Sequence, residues 1–165
     1  MNDTLRLLVD TNVWIDSYLV SRANHEQSFA LINKAIDAES TLLYGSSKLE
    51  TVFYVIRAAA KREIRAQKGE LDEADAQLAL RYAWGCVNNI CDIATAVGVD
   101  QADIWLARKY RVYHPDMEDN VLLAAAGRCE ADYLVTWDEQ LLKNASALVR
   151  AVTPITMCTV LEQRG

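Results

Sequence analysis

The sequence predicts an α/β fold: a small, mostly parallel β-sheet with helices on both faces. Three observations lead there. Short apolar runs with strand character alternate along the chain with longer stretches of helical periodicity. Three of those runs are followed within a few residues by chemistry that caps or starts a helix. The composition is that of an ordinary globular chain: 165 residues, 52% hydrophobic and 24% charged, with two prolines, six glycines and no repeat or low-complexity tract. That length suits a single domain, 1–165, with its own core.

Leu5-Arg6-Leu7-Leu8-Val9 reads as the first, buried strand, and Asp10-Thr11-Asn12 caps a helix entered through Val13-Trp14-Ile15. Residues 24–38 carry helical spacing at Phe29, Leu31, Ile32, Ala35 and Ile36. Thr41-Leu42-Leu43-Tyr44 is the second strand, ended by Gly45, and Ser46 or Ser47 caps a long helix running to about Gln67. Gly69 breaks it, and a second long helix runs from about Asp72 into the low 90s, so that the two form a hairpin arm. Shorter helices begin at Asp100 and Asp116. Tyr133-Leu134-Val135-Thr136 is the third strand, Asp138 starts a brief helix, and Ile155-Thr156-Met157-Cys158 is read as a fourth strand.

Charge and cysteine usage exclude several classes. The apolar runs fall far short of the roughly 20 residues a membrane span needs. Met1-Asn2-Asp3 is not a basic leader, so no signal peptide and a cytoplasmic location are expected. Cys86, Cys91, Cys129 and Cys158 lack zinc-site spacing and are expected as buried thiols. A net charge of −6 excludes a protein that grips nucleic acid by bulk electrostatics. An acidic protein working on RNA needs metal ions at its site and basic patches elsewhere.

Four acids are the candidate site. Asp10 ends the first strand and Asp138 follows the third, so a parallel sheet sets both along one edge, where such sheets bind ligands. Glu50 and Asp119 lie in the first turns of helices near the same edge. Carboxylates gathered together raise one another's pKa, an arrangement that a cation relieves. Open oxygen ligands suit Mg²⁺ or Mn²⁺, and metal-activated water points to phosphodiester hydrolysis. Each acid also has a purely structural reading: Asp10, Asp116 and Asp138 sit where N-caps belong, and Asp116-Met117-Glu118-Asp119 resembles a capping box.

The stretch Leu7-Leu8-Val9-Asp10-Thr11-Asn12-Val13, with Glu50 about forty residues on, resembles the opening of PIN domains, including the VapC-type toxins. Asp116-Met117-Glu118-Asp119-Asn120-Val121-Leu122-Leu123, followed by Ala131-Asp132-Tyr133-Leu134-Val135-Thr136-Trp137-Asp138, resembles that family's closing half. The resemblance implies a three-layer α/β/α fold and metal-dependent endoribonuclease activity. It implies that Asp10, Glu50, Asp119 and Asp138 are catalytic metal ligands, with Asp116 and Thr136 supporting them. It also implies an antitoxin protein that occludes the acidic crevice with a basic side chain, and a homodimer. Two departures stand out: Trp137 replaces a frequent basic residue, and the helical arm is longer than in compact toxins.

On a continuous helix, about 100° per residue puts Glu50, Arg57, Lys61 and Lys68 on one stripe, with Arg65 at its edge. This is a candidate track for the RNA backbone, against the reading of a simple solvated face. Trp14, Trp84 and Trp105 fall on apolar helical positions and are expected in the core, while Trp137 either stacks a base or packs on a helix. His114, beside Pro115 and Asp116, is a candidate ligand or base, against the simpler expectation of a lone surface histidine. Two rivals are weighed. A haloacid-dehalogenase-like phosphatase wants an acid where Asn12 stands, and a catalytically silent PIN-like module would bind RNA or protein without cutting.

Overall fold

The strand β1 (Arg6–Val9) lies at the centre of a five-stranded, all-parallel sheet. The computed structural model describes residues 4–164; Met1-Asn2-Asp3, on which the expectation of no leader rests, lie outside the described residues. β2 (Thr41–Gly45), β3 (Thr95–Val97), β4 (Tyr133–Val135) and β5 (Ala151–Val152) complete the order β3-β2-β1-β4-β5. β1 pairs Leu7 with Leu42 on one side and Leu8 with Leu134 on the other.

Side chains alternate across a strand, so each strand feeds two cores. Leu7, Val9, Leu42 and Tyr44 pack with helices α1 (Thr11–Tyr18), α2 (His25–Asp37), α3 (Leu49–Lys68), α4 (Glu73–Ile93) and, at the chain's end, α8 (Pro154–Glu162). Leu8, Leu43 and Leu134 pack on the opposite face with α6 (Met117–Arg128) and α7 (Glu139–Asn144), while α5 (Gln101–Tyr110) lies against α6. Burying each of these leucines stabilises the fold by roughly 2 kcal/mol. A one-residue slip of β1 would exchange the two faces, so the register is held by packing as well as by the ladder.

α3 and α4 form the expected arm, with Gly69 at the turn in the positive-φ region (φ 88°) that glycine adopts without strain. Asp72 and Asp75 form a reciprocal capping box at the start of α4, and Lys68 joins Asp75 at 2.6 Å. Among the described residues no helix is long and apolar enough to cross a membrane.

Three local readings are corrected. Residues 155–158 are not a strand: the Thr153 hydroxyl accepts from the Thr156 amide at 3.2 Å and Pro154 opens α8, leaving β5 just upstream. Ser46 and Ser47 do not cap α3 but form a 3-10 turn ahead of it. Only Cys86 is a buried thiol; Cys91 is exposed, and Cys129 and Cys158 are half-buried, all four being free. β3 has only three residues, too few to show a period in the sequence.

Candidate active site

β1 has β2 on one flank and β4 on the other, so the chain leaves it in opposite directions and opens a crevice beyond its carboxyl end. Asp10 stands there. Its Oδ1 accepts from the Thr11 amide at 2.6 Å, capping α1, and its Oδ2 accepts from Asn12 Nδ2 at 2.8 Å and from the Thr136 hydroxyl at 2.7 Å. The fully buried Thr136 hydroxyl in turn accepts from the Asp138 amide at 3.0 Å. One hydroxyl therefore ties the acid of β1 to the acid after β4, using its single proton and a lone pair. Asn12 reinforces the joint, accepting the Trp137 amide at 3.3 Å. Position 12 is an amide that donates to Asp10, not the second acid that a haloacid-dehalogenase-like phosphatase wants, which disfavours that reading.

Helix caps set the other acids. Asp138 Oδ1 accepts from the Gln140 and Leu141 amides at 2.8 and 2.9 Å, and Asp116 Oδ1 from the Glu118 and Asp119 amides at 2.8 and 3.1 Å. The structural readings of these caps are thus real, and compatible with each acid's second oxygen facing the crevice. Asp119 does not return a bond to close a capping box. Its Oδ2 meets His114 Nε2 at 2.7 Å.

His114 is a correction: it is 1% exposed, not a surface histidine. Asn144 Nδ2 lies 3.2 Å from its Nδ1, and Asn120 Nδ2 donates to its carbonyl at 2.8 Å. With Asn144 donating to Nδ1, the ring proton sits on Nε2 and donates to Asp119. The histidine thus links the start of α6 to the end of α7 and fixes the Asp119 rotamer. No local pattern marks this, because its partners lie five and thirty residues away.

Burial pushes Asp10 up from its ordinary 3.8 to about 6, against the lowering effect of the Thr136 and Thr11 bonds, and the charges of Asp119 and Asp138 raise it further. Asp119 is raised too, chiefly by burial, with His114 opposing and Asp116 and Asp138 adding to the rise. Three acids from distant stretches therefore feel one another across the crevice. Glu50 is not among the groups acting on either: it is exposed and lines an apolar groove with Leu49, Phe53, Tyr54, Trp84 and Val87. Among the described residues no three His, Cys, Asp or Glu side chains close on a common point. The donor set still suits a hard cation such as Mg²⁺, which keeps several waters and takes only one or two carboxylates directly.

The remaining candidates are scattered. Arg57 and Lys61 are half-buried on α3, and Lys68 is engaged by Asp75 at the arm's tip. Trp14 is in the core as expected, but Trp84 and Trp105 are 53% and 54% exposed, correcting the expectation for both. Trp137 packs: its Nε1 donates to the buried Ser28 hydroxyl at 2.9 Å and its ring meets the first core.

A PIN-domain family model matches residues 6–140. A search of curated proteins returns no match. Among solved structures, VapC20 from Mycobacterium tuberculosis, described as a sarcin-ricin loop cleaving toxin, superposes with a TM-score of 0.58 at 11% identity, covering 87% of this chain and 97% of its own. VapBC2 from Rickettsia felis, solved with a DNA fragment from its promoter, gives 0.55 at 10% identity, covering 90% and 98%. At these identities the likeness is one of fold.

Proposed function

The chain belongs to the PIN-domain family, and from that premise we propose that it is a divalent-metal-dependent endoribonuclease, the toxin of a toxin–antitoxin pair. The observation that carries the reading is the joint by which the Thr136 hydroxyl ties Asp10 to Asp138 at the carboxyl edge of the sheet, with Asp119 held by His114 at the start of α6. Family membership supports the nuclease class, and the toxin of like fold that cleaves a sarcin-ricin loop supports structured RNA as the substrate.

In this reading Asp10, Glu50, Asp119 and Asp138 hold Mg²⁺ or Mn²⁺. A cation held there would supply activation of water for attack on phosphorus and charge stabilisation for the departing oxygen. Thr136 holds the carboxylate of Asp10 and the backbone of Asp138 in one orientation. Asp116 fixes the first turn of α6, and His114 keeps Asp119 turned to the crevice. Glu50 joins by rotation of its own exposed side chain from the first turn of α3. Arg57, Lys61 and Lys68 track the RNA backbone along the arm, with Lys68 contributing least because Asp75 holds it. The toxin role brings an antitoxin whose basic side chain enters the acidic crevice, a homodimer and work in the cytoplasm.

The test is incubation of the purified protein with a structured RNA pool, with Mg²⁺, Mn²⁺ or EDTA, beside Asp10→Asn. Cleavage that requires metal and is lost in the variant is the expected result. Metal binding without turnover on any RNA would favour the silent module, and absence of both would reduce the acids to helix caps.

A further inference from the structure

Beside the first turn of α6, with Asp119 outside its lining, a groove of about 560 Å³ opens between that turn and the end of α5. Trp105, Arg108, Lys109, Arg111, Met117 and Asn120 line it. Three cations within four residues, Arg108, Lys109 and Arg111, stand out on a chain with a net charge of −6. Elsewhere nearby, cations are neutralised: Lys48 pairs with Glu118, Arg128 with Asp100 and Asp103, and Lys143 with Glu139. Arg108, Lys109 and Arg111 are exposed and form no ion pair among the described residues.

The helix dipole favours cations in the last turn of α5, which accounts for Arg108 and Lys109. Arg111 is that helix's C-cap and shares the same account, but the dipole does not explain the large apolar surfaces beside the three cations, Trp105 at 54% and Met117 at 46% exposure. Lys109 Nζ lies 3.5 Å from the Trp105 ring centroid, so charge and π-face are presented together. Cations that neutralise phosphates, interleaved with an aromatic face that stacks a base, are the chemistry of single-stranded nucleic-acid binding. The groove is also joined to the crevice: Asn120, in its wall, bonds the His114 carbonyl, and the His114 ring bonds Asp119.

We propose that this groove is an RNA-binding site that holds the single-stranded flank of the substrate while the bond to be cut lies in the acidic crevice. The inference rests on the nuclease reading above and names a surface that the α3 stripe does not include.

The test is fluorescence anisotropy of a labelled single-stranded RNA titrated in EDTA at several salt concentrations, on an Asp10→Asn background that prevents cutting. Arg108→Gln/Lys109→Gln/Arg111→Gln should make the plot of log affinity against log salt shallower by about 2, at roughly 0.7 for each phosphate of a single strand left without its cation. Trp105→Ala should weaken binding roughly fivefold or more with the slope unchanged, because stacking releases no counterions. Arg111→Gln alone, expected to lower the slope by about 0.7, keeps the test decisive if the triple variant does not fold. Unchanged affinity and slope in these variants, while RNA still binds and the protein with intact acids still cleaves, would overturn the groove and leave the nuclease reading standing. No RNA binding by any version, with no cleavage, would overturn both.

Discussion

Metal-free protein is under electrostatic strain at Asp10, and Asp10→Asn should relieve it. Holding a carboxyl of ordinary pKa 3.8 at about 6 costs the folded state about 3 kcal/mol once the pH lies above both values. Between them the folded state keeps a proton that the unfolded chain has released. This group's contribution to stability is therefore full below about 4 and is lost as pH rises to about 6. Asparagine removes the titration. Its oxygen can still accept from the Thr11 amide, but its amide then faces Asn12 and the Thr136 hydroxyl, which both donate to Oδ2 in the native protein. That mismatch offsets about 1 kcal/mol. The net expectation at pH 7.5 in EDTA is a variant about 2 kcal/mol more stable than the native protein, with the difference vanishing or reversing at pH 4. Urea unfolding followed by circular dichroism from pH 4 to 7.5 measures it. Added Mn²⁺ should reverse the order, since free metal at a hundred times its Kd stabilises only the version that binds it, by about 2.7 kcal/mol. Parallel pH profiles for the two proteins, or a variant already less stable at pH 7.5 in EDTA, would refute the reasoning.

Thr136→Val removes the hydroxyl shared by Asp10 and the Asp138 amide and should lower stability by about 2 kcal/mol, read by urea midpoint, with Thr136→Ser restoring most of it. His114→Phe leaves the Asp119 carboxylate and the Asn144 amide without their partner. It should weaken Mn²⁺ binding roughly tenfold, measured by calorimetry, while His114→Gln, still able to donate, recovers part of the loss. Arg128→Leu strands the fully buried Asp103, whose pKa the guanidinium lowers. A loss of about 2 kcal/mol is expected at pH 7, below the value for a fully buried pair because Arg128 is 38% exposed. The native advantage, present above Asp103's ordinary pKa of 3.8, should shrink as pH falls below it through the lowered value, which thermal melts followed downward in pH would detect.

The sequence by itself determined the layered α/β architecture, the arm and the edge at which Asp10 and Asp138 stand. Those depend on local chemistry: apolar runs that end in a cap read the same in one dimension as in three. Asp10, Asp116 and Asp138 each cap a helix as their positions require, and Gly69 turns the arm where it was expected to. Pro154 carries an equally local helix-start signal, yet the short apolar run after it also fits a strand, and only the structure shows it to be α8. Tertiary structure alone decided the rest. His114 is buried because the segment before α6 is pressed against α7, and no short window contains both halves of that contact. Trp105 is exposed because its face of α5 meets solvent and the charges at that helix's end, whereas periodicity reports only that one face is apolar. Lys68 is held because the turn brings Asp75 back to it. Glu50 differs from the other three acids: its place in the first turn of α3 follows from sequence, but only the tertiary structure shows that it stands exposed beside the groove between α3 and α4.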